Sequence, residues 1–216
     1  MEYNGTIVVV TGGTRGIGRA VSLRFASEGA LVTAAYLKND DAARSLVEDS
    51  QGLPGEIRVL KADVRTSAGA VSLMDAAAGE TGHIDVLVNN AGIIRDTYLA
   101  MMSESDWSDV MEANLYPLFH CCKWGVRKML ARKKGAIVTV ASISAFTGNP
   151  GQTNYAASKG AAVSFSRSLA REVGPLGIRV NTVAPGLIAT EMVSSLKQEL
   201  VDTIVRSSSL RRIGRP

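Results

Sequence analysis

The chain has 216 residues, of which 46% are hydrophobic and 20% charged, enough for one sizeable core in an ordinary globular domain. Its formal net charge is +4, but the basic residues are scattered and only 5% of residues are aromatic. That argues against a nucleic-acid partner, whose bases need stacking platforms beside the positive surface. No apolar run approaches the ~18 residues of a membrane span, and residues 1–13 hold no basic region followed by a long apolar stretch, so neither a membrane partner nor a signal peptide is expected.

Short β-rich runs alternate with longer helical patterns. Strands are expected at 6–10, 31–36, 57–60, 85–88, 136–140 and 178–183, and helices at 17–28, 40–49, 68–78, 104–128 and 155–173. Most of the strand runs are near-continuously apolar, which marks strands covered on both faces and hence a parallel sheet with helices on either side. Asn39 or Asp40 can cap the second helix, and Thr66 or Ser67 the third. The alternation implies right-handed βαβ units and therefore an α/β fold, a doubly wound parallel sheet of the Rossmann type in a single domain over residues 1–216. Beyond Val183 the pattern loosens. A further helix is expected over 191–206, and Gly214-Arg215-Pro216 reads as the approach to another, because Pro is favoured at a first helical position.

The loop after the first strand is Thr11-Gly12-Gly13-Thr14-Arg15-Gly16-Ile17-Gly18. Glycines there allow a tight turn, close approach of backbone to a pyrophosphate and close packing of helix on strand. The helix N-terminus adds unpaired N–H groups and a positive dipole end. The spacing Gly12-x-x-x-Gly16-x-Gly18 differs from G-x-G-x-x-G, but its place after a buried strand points to a dinucleotide. An NAD site usually carries Asp or Glu at the end of the second strand. Tyr36 and Leu37 stand there, followed by Lys38, and Arg15 lies in the loop. Two cations and no acid favour a 2′-phosphate, hence NADP(H). Asp40 is the opposing signal and is read as a helix start.

Tyr155 and Lys159 are four residues apart, on one face of a helix. A phenol titrates near pH 10, and a nearby cation favours its ionised form. Such a pair suits an enzyme that moves a proton while a carbonyl is reduced or an alcohol oxidised. The adjacent cysteines Cys121 and Cys122 would form a strained bridge. With only two histidines in the chain, no metal site is expected. They read as packing positions, and free thiols fit a reducing, cytoplasmic compartment.

Thr11-Gly-x-x-x-Gly-x-Gly18, Asn89-Asn90-Ala91-Gly92, Asn114, Ser142, Tyr155-x-x-x-Lys159 and Pro185-Gly186 together resemble the short-chain dehydrogenases/reductases, in the family's order and over essentially the whole chain. The resemblance implies that Tyr155 is the general acid, that Lys159 holds the nicotinamide ribose and depresses the tyrosine pKa, that Ser142 binds the substrate carbonyl, and that Asn114 anchors a water in the relay to Lys159. Ser144 rivals Ser142, and the thirteen-residue gap to Tyr155 favours Ser142. Gly12, Thr14, Arg15, Gly16, Ile17, Gly18 and Lys38 would hold the phosphates and ribose, with Asp63 and Val64 on the adenine side. Asn90, Ala91 and Gly92 would line the cofactor together with Tyr155, Lys159, Pro185 and Gly186. Ile188 and Thr190 would meet the nicotinamide amide and phosphates, whereas Asn89 could equally brace strands.

Within that family, Asn90 to Asp96, Gly148 to Tyr155 and Leu169 to Val173 are most similar to the 3-oxoacyl-[acyl-carrier-protein] reductases, with acetoacetyl-coenzyme A reductases close by. The implied reaction is NADPH-dependent reduction of a 3-oxoacyl thioester, on acyl carrier protein or coenzyme A, as in fatty-acid biosynthesis. Reduction or oxidation of another carbonyl or alcohol, such as a sugar or steroid, remains an alternative, as does a catalytically silent dinucleotide-binding scaffold or sensor. Family members dock the carrier with basic residues flanking the entrance to the site. Lys133 keeps one such position and Leu176 replaces the other. They also continue with a further helix and strand, so the chain is expected to be C-terminally short, with 178–183 as a sheet edge. A homo-oligomer, tetramer or dimer, is expected once that segment is restored.

Overall fold

A computed structural model describes residues 1–194 and 198–216. Six strands, β1 (Ile7–Thr11), β2 (Leu31–Tyr36), β3 (Glu56–Lys61), β4 (Val86–Asn89), β5 (Gly135–Val140) and β6 (Ile178–Val183), form one parallel sheet in the order β3-β2-β1-β4-β5-β6. The helices are α1 (Gly16–Ser27), α2 (Asp40–Asp49), α3 (Ser67–Ala78), α4 (Glu104–Leu130), α5 (Ser144–Thr147), α6 (Thr153–Val173), α7 (Glu191–Ser194) and α8 (Gln198–Ser207). The expected doubly wound Rossmann sheet is therefore present, and each expected strand and helix lies within two residues of its observed bounds. The helix expected over 191–206 corresponds to α7 and α8; its residues 195–197 lie outside the described residues.

The period-two geometry of β1 divides the core. Ile7 and Val9 pack with α3, α4 and α6 through Leu73, Met74, Cys121, Cys122 and Ala162. Val8 and Val10 face the other way, towards Ala26 of α1 and Leu46 of α2. Every residue of β1 and β4 is buried. The outer strands β3 and β6 are not: each has one buried residue, Ile57 and Ile178, and is otherwise exposed or half-buried, as strands with a neighbour on one side only. The near-continuous burial expected of the strand runs therefore holds at the centre of the sheet and fails at its edges.

Local signals fix several helix starts. Asn39, not Asp40, caps α2, accepting from the Ala42 N–H at 2.9 Å, while Asp40 is the first helical residue and pairs with Lys61. Thr66 caps α3 by accepting from Gly69 N–H at 3.1 Å. The short α5 was not foreseen, since one turn carries no periodicity. The expected helix approach at the end of the chain takes another form: Gly214 forms a parallel bridge with Ile188.

Strand order reverses between β2-β1 and β4-β5, which opens a crevice at the carboxyl ends of β1 and β4. The loop 12–15, the segment after Asn89 and the N-terminus of α6 all converge on that edge. Among the described residues no helix is long and apolar enough to cross a membrane, and no group of His, Cys, Asp and Glu is placed to hold a metal ion.

Candidate active site

The glycine loop is built for close approach. Gly12 and Gly16 have φ of +60° and +50°, a region that side chains disfavour. A Cβ on Gly18 would collide with the Gly12 carbonyl oxygen, and one on Gly13 would lie 2.8 Å from the Ala34 Cβ. The loop is braced from β4. Thr11 Oγ1 accepts from the N–H groups of Asn90 and Ala91 at 2.9 and 3.0 Å, and Asn90 Nδ2 donates to the carbonyls of Thr11 and Gly12 at 3.1 and 3.0 Å. The side chain of Asn90 thus supports the loop. The bracing role of Thr11 depends on a contact nearly eighty residues away in sequence and leaves no local signal.

Thr190 reaches the same loop, since a Cβ on Gly16 would sit 3.2 Å from its Cγ2. Ile188 lies one step away, pinned by the bridge to Gly214. Pro185 accepts from the Ile143 N–H at 3.0 Å, which ties the 185–190 segment to the start of α5. Gly186 has open space around its Cβ position. Thr14 is buried, and Ile17 sits half-buried in the first turn of α1.

The two expected 2′-phosphate cations differ. Arg15 is exposed and donates to Glu191 Oε2 at 3.0 Å. Lys38 is exposed at the end of β2 and has no ion pair among the described residues. Asp40, the first acid after that strand end, is held by both carboxylate oxygens on Lys61 Nζ at 3.0 Å, and its carboxyl is kept below the usual range by Lys61 and Tyr36. On the adenine side, Arg65 forks onto Asp63 at 2.9 and 2.7 Å and lowers its pKa, while the Val64 side chain is buried in the core.

The Tyr155–Lys159 pair faces the end of β5. Lys159 is only 7% exposed and donates to the Val140 carbonyl at 2.8 Å. Burial lowers its pKa to about 8. Its ammonium lies 5.7 Å from the centre of the Tyr155 ring. Burial pushes the Tyr155 phenol above its ordinary value, a hydrogen bond with Ser142 pulls it down, and Asp96 adds a smaller upward push. Burial is the largest of these influences, so the phenol titrates above its ordinary value in this arrangement, opposite to the net depression expected. Ser144 is excluded as the rival by its commitments: it is buried, donates to Gln152 Oε1 at 3.1 Å and accepts from Asn149 Nδ2 at 2.9 Å.

Asn114 is clamped on three sides. Its Oδ1 accepts from Ile93 N–H at 2.8 Å, and its Nδ2 donates to the Ile93 carbonyl at 3.2 Å and to Ser158 Oγ at 2.9 Å. Ser158 in turn donates to the Tyr155 carbonyl at 2.8 Å. A Cβ on Gly92 would lie 3.0 Å from Asn114 Oδ1 and 3.5 Å from Lys159 Nζ, so those three positions meet. Asn154 carries no sequence signal of its own beyond its place in the motif before Tyr155. It is fully buried, and it fixes the start of α6 by donating to the carbonyls of Arg95 and Asp106 at 2.9 and 3.3 Å.

Lys133 and Leu176 do not border this site. Tyr155 lies in the first turn of α6, whereas Leu176 follows its far end, and 21 helical residues span about 30 Å. Both positions sit where β5 and β6 begin, at the opposite edge of the sheet. The expectation that they flank the entrance therefore fails within one chain.

A glycine cradle whose Cβ positions are closed by backbone, at a helix N-terminus beside the switch point of a parallel sheet, fits a dinucleotide pyrophosphate. The family described as short chain dehydrogenase matches residues 6–201, and the chain belongs to it. It is an oxidoreductase of the kind that uses a nicotinamide dinucleotide. Among similar proteins, the 3-oxoacyl-[acyl-carrier-protein] reductase FabG of Chlamydia pneumoniae is 42% identical over 98% of this chain and 85% of its own length. The FabG reductase of Thermotoga maritima is 39% identical over 100% of this chain and 87% of its own. That of Staphylococcus epidermidis is 37% identical, over 95% and 84%.

Proposed function

We propose that the chain reduces the ketone of a 3-oxoacyl thioester to the 3-hydroxyacyl thioester with NADPH. The observation that carries this reading is the half-buried Tyr155 phenol, under the influence of Ser142 and with the Lys159 ammonium 5.7 Å from its ring, on the same sheet edge as the glycine loop. The relatives named above are reductases of 3-oxoacyl groups on acyl carrier protein, which supports this substrate class.

The bound cofactor supplies the hydride that reaches the ketone carbon. Ser142 hydrogen-bonds the carbonyl oxygen and orients it. Tyr155 gives its phenolic proton to that oxygen as negative charge develops there. Lys159 stabilises the phenolate left behind, and Asn114 anchors the water through which a proton returns from solvent. Gly12, Thr14, Gly16, Ile17 and Gly18 would cradle the phosphates. Asp63, Val64, Asn90, Ala91, Gly92, Pro185, Gly186, Ile188 and Thr190 would line the remainder. Arg15 and Lys38 favour the 2′-phosphate of NADP(H) over NAD. The exposed Arg15–Glu191 pair is of a kind worth little in water, so a phosphate can take the guanidinium from Glu191.

This reading includes a cytoplasmic location and a homo-oligomer, dimer or tetramer; the exposed aromatic side chains of Tyr116 and Phe119 on α4 support association. The test is oxidation of NADPH and of NADH with acetoacetyl-coenzyme A and with a 3-oxoacyl carrier protein. Turnover with NADPH is expected on at least one thioester. Turnover confined to a sugar or steroid ketone would replace the substrate assignment, and none with any carbonyl would leave a dinucleotide-binding protein without this chemistry.

A further inference from the structure

Lys159, but not Tyr155, lines a cavity of about 10 Å³. That is about the smallest space that holds one water. Its polar lining comes from Thr11, Asn89, Asn114, Thr139 and Lys159, and Pro117 of α4 closes it. Asn89 is 5% exposed, and its Oδ1 is fully buried with no hydrogen-bond partner among the described residues. A buried amide oxygen left unpaired costs more than the net gain of an ordinary hydrogen bond.

The remaining groups narrow the choice of partner. Both polar ends of the Asn114 amide are engaged, with Ile93 and Ser158. Thr11 Oγ1 is shared among Val88, Asn90 and Ala91. Thr139 Oγ1 accepts from Ser166 Oγ at 3.0 Å, which leaves its own hydroxyl proton as a second donor that the water can accept. The other end of the Asn89 amide donates to Cys122 Sγ at 3.2 Å. Lys159 Nζ has three protons, and its one hydrogen bond among the described residues is to Val140. The cavity thus joins an acceptor that lacks a donor to an ammonium with donors to spare. Pro117 adds to the polarity of this region, because it has no N–H to give to the Ala113 carbonyl one turn earlier.

We propose that Asn89 and Lys159 hold one buried water between them, and that through it Asn89 is a positioning residue for the Lys159 ammonium. The water accepts from Lys159 Nζ and donates to Asn89 Oδ1. It lies on the closed inner side of Lys159 and is separate from the relay that returns a proton from solvent. The role of Lys159 rests on the proposed reaction; the water and its effect on Lys159 do not.

Three proteins test this: the unmodified chain, Asn89→Leu, which keeps the branched shape and removes the acceptor, and Asn89→Asp, which puts a charge in its place. The titratable groups near Lys159 are Tyr155 on its own helix and Cys122 on α4, with Asp96 acting on Tyr155. Titration of Lys159 is followed by NMR of labelled lysine, with Lys159→Met assigning the signal. Asn89→Leu should move that titration to lower pH, because the charged form loses a bridged partner, and Asn89→Asp should move it to higher pH. In Asn89→Leu, kcat should fall about tenfold, with KM for the thioester nearly unchanged. A high-resolution crystal structure of the unmodified chain should show a water within hydrogen-bond distance of both atoms. The proposal is overturned if that water is absent, or if Lys159 titrates alike in the unmodified chain and Asn89→Asp. Those two readouts decide even if Asn89→Leu does not fold. Neither needs turnover, so a chain that reduced no thioester would count against the proposed reaction and not against the water.

Discussion

Lys159 Nζ lies 5.7 Å from the centre of the Tyr155 ring and gives its hydrogen bond to the Val140 carbonyl rather than to the phenol. The pair is therefore coupled through space. Burial dominates both groups, lowering the lysine to about 8 and raising the tyrosine.

The phenol is asked to act only in the chemical step. Tyr155→Phe should bind NADPH like the unmodified chain while kcat falls about a hundredfold or more. Fluorescence titration of the cofactor and steady-state kinetics measure the two separately, and wild-type-like turnover would remove Tyr155 from the proposed role.

Lys159 links stability to pH. Its pKa is depressed in the folded state, so between about 8 and its unfolded value of about 10.4 the unfolded chain binds more protons. Stability contributed by this group therefore rises with pH across that window, and the cost of burying the charge is fully present below it. Relative to Lys159→Met, the unmodified chain should gain up to about 3 kcal/mol between pH 7.5 and 10.5. Urea unfolding at a series of pH values reads the difference, and parallel curves for the two proteins would contradict it.

On the proposed reading, Arg15 would exchange Glu191 for the 2′-phosphate of NADPH. Losing a charge-assisted contact of this kind costs about 1.5–3 kcal/mol. Arg15→Ala should therefore weaken NADPH binding roughly tenfold or more and leave NADH nearly unchanged. Equal affinity of the unmodified chain for the two cofactors would refute the argument from Arg15 and Lys38.

Gly18 and Gly186 make a contrasting pair. A Cβ at Gly18 meets the Gly12 carbonyl, a backbone atom that cannot swing aside, whereas a Cβ at Gly186 meets open space. Gly18→Ala should abolish cofactor binding and destabilise the fold by about 1–3 kcal/mol. Gly186→Ala should shift the melting temperature by no more than a degree or two. Calorimetry on both variants checks the ordering.

Much of this could be read from local pattern, because strand and helix periodicity, capping and the spacing of Tyr155 and Lys159 all depend on neighbours a few residues away. The caps Asn39 and Thr66 and the buried strands β1 and β4 are of that kind. So is the likeness to the short-chain dehydrogenases, carried by motifs in a fixed order along the chain. Folding decided what no spacing encodes. It brought Glu191 to Arg15 and bound the Asn114 amide to Ile93 and Ser158. It committed Ser144 to its own loop, put Asn89 and Lys159 on one small cavity, and put Lys133 and Leu176 at the far edge of the sheet. Burial and partner choice depend on groups tens of residues apart, so the pKa balance at Tyr155 and Lys159 follows from packing, where desolvation outweighs the charge pairing that their spacing alone suggests.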